Sequence, residues 1–325
     1  MKIAVIDDYQ NAFRKLSSYG KLKGHDVIVY TDTEKDPVKL AERLKDAEAV
    51  VLTQQRSPFP RAVIERLPNL KLISQTGRNA YHIDIEACTE RGIIISAAGA
   101  GKPNPTAELA WGLILAALRH IPEEVQRLKS GEWQKTVGTG VFGKTLGVYA
   151  YGRIGGQVAR VGKAFGMRVT CWGREGSTAK ARADGFEVPA TREAFFSEAD
   201  VISLHLPLNK ETRGIVTAAD LARMKPTALI VNTSRAPIIE PGALVAALKQ
   251  GRPGRAAVDV YEEEPVLNAS HPLIKMENVV CTPHLGYVEE ETYEAYYGTA
   301  IDHIVAYAAG KPINVLNPEA LTGKT

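Results

Sequence analysis

The amino-acid sequence predicts an α/β protein made of two doubly wound parallel-sheet domains with a cleft between them. Three observations point there. Short β-branched runs alternate with longer amphipathic segments from the first residue onward, a Gly/Pro-rich stretch at residues 99–105 interrupts the alternation once, and 325 residues is about twice the usual domain length. With 45% apolar and 24% charged residues the composition is that of a globular chain, which excludes a disordered or fibrous protein. A chain this long buries roughly three quarters of its unfolded surface, so neither metal nor disulfide is needed to hold it.

Residues 3–6, 27–30, 49–52, 70–73 and 93–95 each read as a buried parallel strand, because each is a short run rich in Val, Ile, Leu and Ala. Residues 37–44, 60–67 and 83–91 read as the helices between them. The break at 99–105 (Gly-Ala-Gly-Lys-Pro-Asn-Pro) reads as an interdomain hinge, and Thr106-Ala107-Glu108 opens a long helix to about residue 128. A second array follows, with strands at 146–150, 168–172, 201–204, 228–232, 256–260 and 279–281 and helices at 154–165 and 242–249. The last helix, 289–308, stops at Gly310-Lys311-Pro312.

Forty basic and 37 acidic side chains leave a net charge of +3, and no run gathers five or six like charges. No nucleic-acid or membrane-surface footprint is expected, although a local cationic pocket for a small anion remains open. Cys88, Cys171 and Cys281 are odd in number, far apart and lack zinc spacing, which places the chain in a reducing cytoplasm. The N-terminus reaches Asp7 and Asp8 after four apolar residues, too soon for a signal sequence, and the longest apolar run, 109–118, is half a membrane span. His25, His82, His120, His205, His271 and His303 show no ligand spacing, so no metal is expected.

Strand 146–150 runs into Tyr151-Gly152-Arg153-Ile154-Gly155-Gly156 and then a helix. A Rossmann-like dinucleotide fingerprint wants Gly at a tight turn, at the approach of the pyrophosphate, and where helix meets strand. Gly152 and Gly155 fill the second and third places, while Ala150 stands in the first. The helix start offers unpaired N–H groups to a phosphate. An acid that grips the adenosine ribose normally ends the next strand, but here Gly173 and Arg174 follow Trp172. Arg174 with the hydroxyls of Ser177 and Thr178 suits the 2′-phosphate of NADP; alternatively Arg174 stacks on adenine and Glu175 holds the ribose of NAD.

Three more segments place charge just past a strand end, where a doubly wound sheet receives its ligand: 231–237 with Arg235, 259–265 with Asp259 and Glu262 to Glu264, and 281–286 with His284. Taken in order after the glycine loop, these motifs resemble the D-isomer-specific 2-hydroxyacid dehydrogenase family, which includes phosphoglycerate dehydrogenases and glyoxylate/hydroxypyruvate reductases. The likeness covers nearly the whole chain and includes Ser74-Gln75-Thr76-Gly77-Arg78 and His205-Leu206-Pro207-Leu208-Asn209.

The resemblance implies that Arg235 binds the substrate carboxylate and polarises its C2 oxygen, that His284 is the acid/base, and that Glu264 pairs with His284. It implies that Arg153 and Ile154 offer loop amides to the pyrophosphate beside Gly152 and Gly155. Thr233, Ser234, Leu206, Pro207 and Gly286 would line the cofactor, Asp259 would contact the nicotinamide side, and Gly77 and Arg78 would lie over the carboxylate. Residues 1–101 with 287–325 would form the substrate domain, and 102–286 the nucleotide domain. Relatives pair through the nucleotide domain, so a homodimer is expected, and Trp111, Leu113, Ile114 and Leu118 mark either a packing face or that contact.

The chemistry explains the residue types. A hydride reaches the keto carbon while a proton reaches its oxygen, which calls for a donor titrating near neutrality, and His suits that role. A carboxylate beside it favours the imidazolium, and Arg grips a carboxylate through two hydrogen bonds. Ala150, Ala236, Asn79 and Gly173 depart from the family pattern without removing a reacting group, and Arg78 could hold a second anionic group or pair with a nearby carboxylate. The expected function is an NAD(P)-dependent oxidoreductase acting on a small D-2-hydroxy or 2-keto acid of the phosphoglycerate, glyoxylate or hydroxypyruvate type. A nucleotide-sensing corepressor on the same scaffold is the alternative. A formate dehydrogenase-like reaction is disfavoured because those relatives carry Gln where Glu264 stands.

Overall fold

Every apolar run of the first array becomes a strand in the structure, a computed structural model that describes residues 1–99 and 101–322. Ala100, within the expected hinge, and residues 323–325 lie outside the described residues. The chain divides into two units, Met1–Lys102 with Val288–Thr325, and Pro103–Tyr287.

In unit 1, β1 (Lys2–Ile6), β2 (Asp26–Val29), β3 (Ala49–Leu52), β4 (Leu72–Thr76) and β5 (Ile94–Ala98) form one parallel sheet in the order β2-β1-β3-β4-β5, the flavodoxin-like arrangement. Helices α1 (Pro37–Leu44), α2 (Arg61–Ile64) and α3 (Ile85–Glu90) cover one face. Asp36 and Asp84 cap α1 and α3 by accepting from the amides of Val38, Lys39 and Ala87. Leu40, Leu44, Phe59, Ile64, Leu67, Ile73 and Ile95 fill the layer beneath.

Strand β4 runs further into polar sequence than its apolar run suggests, through Ser74, Gln75 and Thr76, all buried. Its partner comes from the far end of the unit. The Ser74 hydroxyl donates to the Ala300 carbonyl at 2.9 Å and lies 3.0 Å from His303 Nδ1.

Unit 2 opens with α4 (Asn104–Arg119) and α5 (Ile121–Lys129) in place of one long helix. Pro122 has no N–H to offer the Leu118 carbonyl, which accepts from Thr139 instead at 2.7 Å, and His120 turns the corner in the left-handed region at φ 54°. The remaining elements are β6 (Thr145–Tyr149), α6 (Arg153–Ala164), β7 (Arg168–Trp172), α7 (Glu175–Ala183), α8 (Arg192–Glu198), β8 (Val201–Leu204), α9 (Ala218–Arg223), β9 (Leu229–Asn232), α10 (Ala243–Lys249), β10 (Arg255–Val258) and β11 (Val279–Cys281). Two further helices, α11 (Glu290–Ala308) and α12 (Glu319–Thr322), return to unit 1, where Tyr297 of α11 packs edge-on to Phe13.

The second sheet is parallel throughout, in the order β11-β10-β9-β8-β6-β7. A single bridge between Thr170 and Glu187 extends it past β7, so the third strand of the Rossmann order survives as one pairing. Strand order therefore reverses at β6, the switch point where such sheets take their ligands. Trp111, Leu113, Ile114 and Leu118 are all buried in this unit's core, with Trp111 donating to the Val158 carbonyl of α6. They are a packing face and not a contact surface. Among the described residues no helix is long and apolar enough to cross a membrane, and no group of His, Cys, Asp and Glu could hold a metal ion.

Candidate active site

The turn after β6 keeps the shape a glycine would give it. Ala150 sits at φ 74°, in the left-handed region, and the Gly152 amide donates back to its carbonyl. A methyl at Gly155 would lie 2.3 Å from the Ala150 carbonyl oxygen and 3.0 Å from Val148, so only glycine lets α6 rest on β6 here. A methyl at Gly152 would meet no atom within 4 Å. The amides of Arg153, Ile154 and Gly155 have no acceptor among the described residues, and they stand at the positive end of the α6 dipole. This cradle fits a dinucleotide pyrophosphate.

Gly173 and Arg174 follow β7. The Ser177 hydroxyl accepts from the Tyr151 amide at 2.7 Å, and Thr178 is buried with its hydroxyl donated to the Glu175 carbonyl. Of the two hydroxyls expected beside Arg174, Thr178 is therefore turned inward. Glu175 pairs with Arg182 at 3.4 Å, whereas Arg174 faces Glu211 at 3.7 Å. Past β8, Leu206 is buried in the core and Pro207 is exposed, its carbonyl accepting from the Thr212 hydroxyl.

Past β9, buried Asn232 shapes the turn: its side-chain amide donates to the Arg235 carbonyl at 3.0 Å and its oxygen accepts from the Ser234 amide at 3.0 Å. Sequence reasoning passed over Asn232, although an Asn ending a strand before Thr-Ser-Arg is an Asx-turn signal. The buried Thr233 hydroxyl has no partner among the described residues, an orphan at the sheet edge that a bound ligand would satisfy. Arg235 is half-buried, donates to the Ser234 carbonyl at 2.7 Å, and has no carboxylate partner among the described residues.

Asp259, past β10, is fully buried. Its carboxylate accepts from the Thr282 hydroxyl at 2.6 Å and the amides of Leu285 and Gly286 at 2.7 and 2.8 Å. Burial pushes its carboxyl above the usual range while those bonds pull it back. Its oxygens hold the loop that carries His284. The Gly286 carbonyl accepts in turn from Thr106 at 2.8 Å.

Glu264 closes the arrangement, accepting from the Tyr261 amide at 3.0 Å through one oxygen and lying 2.5 Å from His284 Nδ1 through the other. A carboxylate there makes Nδ1 the protonated nitrogen, and Nε2 has no partner among the described residues. His284 itself sits at φ 55°. The amides of α6, the Arg235 guanidinium and the His284–Glu264 pair thus all lie past the carboxyl ends of strands in one sheet.

In unit 1, the Gly77 amide is donated to the Ala98 carbonyl at 2.9 Å. The amides of exposed Arg78 and Asn79 have no acceptor among the described residues, and the Arg78 guanidinium has no carboxylate partner among them either.

Residues 111–286 match the family model described as D-isomer specific 2-hydroxyacid dehydrogenase, NAD binding domain. Glyoxylate reductase from Thermococcus litoralis is 35% identical over 311 residues, covering 92% of this chain and 93% of that one. D-3-phosphoglycerate dehydrogenase from Methanocaldococcus jannaschii is 39% identical over 298 residues, covering 91% of this chain and 55% of that one. The crystal structure of an oxidoreductase from Ralstonia solanacearum superposes with a TM-score of 0.93 at 50% identity, covering 98% of each chain.

Proposed function

The chain belongs to the D-isomer specific 2-hydroxyacid dehydrogenase family, and from that premise we propose that it reduces a small 2-keto acid to the D-2-hydroxy acid with NADH or NADPH. The observation that carries this reading is the His284–Glu264 pair at the same sheet edge as Arg235, with neither Nε2 nor the guanidinium meeting a carboxylate among the described residues. The amides of Arg153, Ile154 and Gly155 hold the pyrophosphate, and the Thr233 hydroxyl finds its missing partner on the bound nucleotide. A bound nicotinamide supplies the hydride.

Arg235 grips the substrate carboxylate and draws charge toward the C2 oxygen. His284 Nε2–H donates its proton to that oxygen as the hydride arrives, and Glu264 steadies the imidazolium beforehand through Nδ1–H. The imidazole then regains a proton from solvent, and in the oxidative direction it takes the proton from the alcohol. Formate oxidation releases no alcohol proton and gives the Glu264 pair nothing to do. The substrates favoured are glyoxylate, hydroxypyruvate and 3-phosphohydroxypyruvate.

Initial rates with NADH and NADPH across glyoxylate, hydroxypyruvate and 3-phosphohydroxypyruvate test the reading. Steady nucleotide oxidation is the expected result, with a D-configured product from hydroxypyruvate and 3-phosphohydroxypyruvate. Nucleotide binding without turnover on any of the three would favour a sensor instead.

A homodimer accompanies this reading, through a different face from the buried Trp111 helix. Ile121, Val125 and Leu128 of α5 and the segment after it expose apolar surface, led by Trp133 at 72%, Val137 at 94% and Phe142 at 84%. Glu123, Glu124 and Glu132 balance Arg127, Lys129 and Lys135 over the same stretch, so the face is electrically neutral and can pair with itself. Light scattering should give twice the chain mass for the wild type and the monomer mass for Trp133→Ser/Val137→Asp.

A further inference from the structure

We infer that Glu211, in the loop after β8, sets the choice between NAD and NADP by occupying the guanidinium of Arg174. The inference rests on the reading of the β6–α6 turn as the dinucleotide site. In the Rossmann arrangement an acid ending the second strand accepts from the adenosine ribose hydroxyls and repels a 2′-phosphate. Strand β7 ends on Trp172, and Gly173 stands where such an acid would be. The next acid in sequence, Glu175, is the first residue of α7 and faces Arg182. The carboxylate that faces Arg174 is that of Glu211, at 3.7 Å, delivered from the loop after β8, which lies across β6 from β7.

That loop is held in place. The Asn209 side-chain oxygen accepts from the amides of Glu211 and Thr212 at 2.9 and 3.0 Å, an Asx turn that fixes the backbone from which the Glu211 side chain projects. The Thr212 hydroxyl donates to the Pro207 carbonyl and anchors the other side of the turn. Arg174 and Glu211 are themselves 84% and 75% exposed, so their attraction is weak and screened, and a ligand can exchange for it.

The two nucleotides meet this pair differently. A 2′-phosphate that binds Arg174 sits beside the negative charge of Glu211 and competes with it for the guanidinium. A ribose with two free hydroxyls brings no charge and leaves the pair intact. Glu211 therefore does from β8 what the missing residue would do from β7: it penalises NADP while leaving NAD unaffected. Removing its charge should free Arg174 for the phosphate.

The test is the equilibrium dissociation constant of NADPH and of NADH, read by quenching of protein fluorescence, for the wild type, Glu211→Gln, Arg174→Ala and the double variant. Glu211→Gln should tighten NADPH roughly three- to fivefold, the scale of an exposed ion pair, and leave NADH within a factor of about 1.5. The double variant should show no gain over Arg174→Ala. Unchanged NADPH affinity in Glu211→Gln, equal tightening of both nucleotides, or a gain that survives without Arg174 would overturn the assignment. Failure of the wild type to bind either nucleotide would remove the dinucleotide site itself, a result distinct from any of these.

Discussion

Exchanging the two glycines of the β6–α6 turn for alanine should produce opposite phenotypes. At Gly155 the new methyl would lie 2.3 Å from the Ala150 carbonyl oxygen. Ordinary contact requires the helix and the end of the strand to move apart by about 1 Å, which breaks packing across the buried Val148 layer. Overpacking of that kind costs about 1–3 kcal/mol. For a protein of this size, that is a fall in Tm of roughly 1.5–5 °C. At Gly152 the methyl enters space with no atom within 4 Å, and the backbone there (φ −109°, ψ −153°) suits any residue. Gly152→Ala should therefore melt within about 1 °C of the wild type. It places a methyl where the pyrophosphate must approach the backbone, so the Kd for NADH should rise roughly 10- to 100-fold. Differential scanning calorimetry and fluorescence titration on the same preparations separate the two effects. Wild-type nucleotide affinity in Gly152→Ala, or a wild-type Tm in Gly155→Ala, would refute the division of roles.

Ala150→Gly should stabilise the protein by up to about 1 kcal/mol in urea unfolding, since the left-handed conformation at φ 74° strains an alanine and suits a glycine. Buried His303 should make the protein acid-labile. Asn314 donates to its Nε2 at 3.2 Å, so a second proton has no acceptor there, and burial pushes the imidazole down to about 4 from an ordinary 6.5. A depressed folded value means stability complete above pH 6.5 and lost as the pH falls toward 4. Between pH 7.5 and 5.0 this one group should remove about 2 kcal/mol, and His303→Asn should show that much less pH dependence by chemical denaturation.

The strands of both sheets were legible because Val, Ile, Leu and Ala gather in short runs that a buried parallel sheet requires. Where the structure differs, the causes are a partner distant in sequence, a helix without an apolar stripe, and an apolar spacing that runs across a proline. Ser74 to Thr76 look like the end of a strand until Ala300 and His303 satisfy Ser74. Helix α7 buries only Thr178 and Ala181, which leaves no apolar stripe to read. The break after α4 was visible as Pro122 and was passed over because the apolar spacing continues through Val125 and Leu128.

At the candidate site, Arg235, Glu264 and His284 stand out in the sequence because each follows a strand. The contact of His284 with Glu264, the commitment of Asp259 to the 282–286 loop and the pairing of Arg174 with Glu211 are tertiary facts, with no spacing or periodicity to announce them. Only the Asn232 turn had a local signal.

The most direct measurement is the steady-state reduction of hydroxypyruvate by the wild type and by His284→Gln, with the nucleotide Kd determined for both. Loss of the proton donor should lower kcat roughly 100- to 10,000-fold and leave nucleotide binding within about twofold. A His284→Gln enzyme that turns over within about tenfold of the wild type would contradict the assignment of the proton to this imidazole.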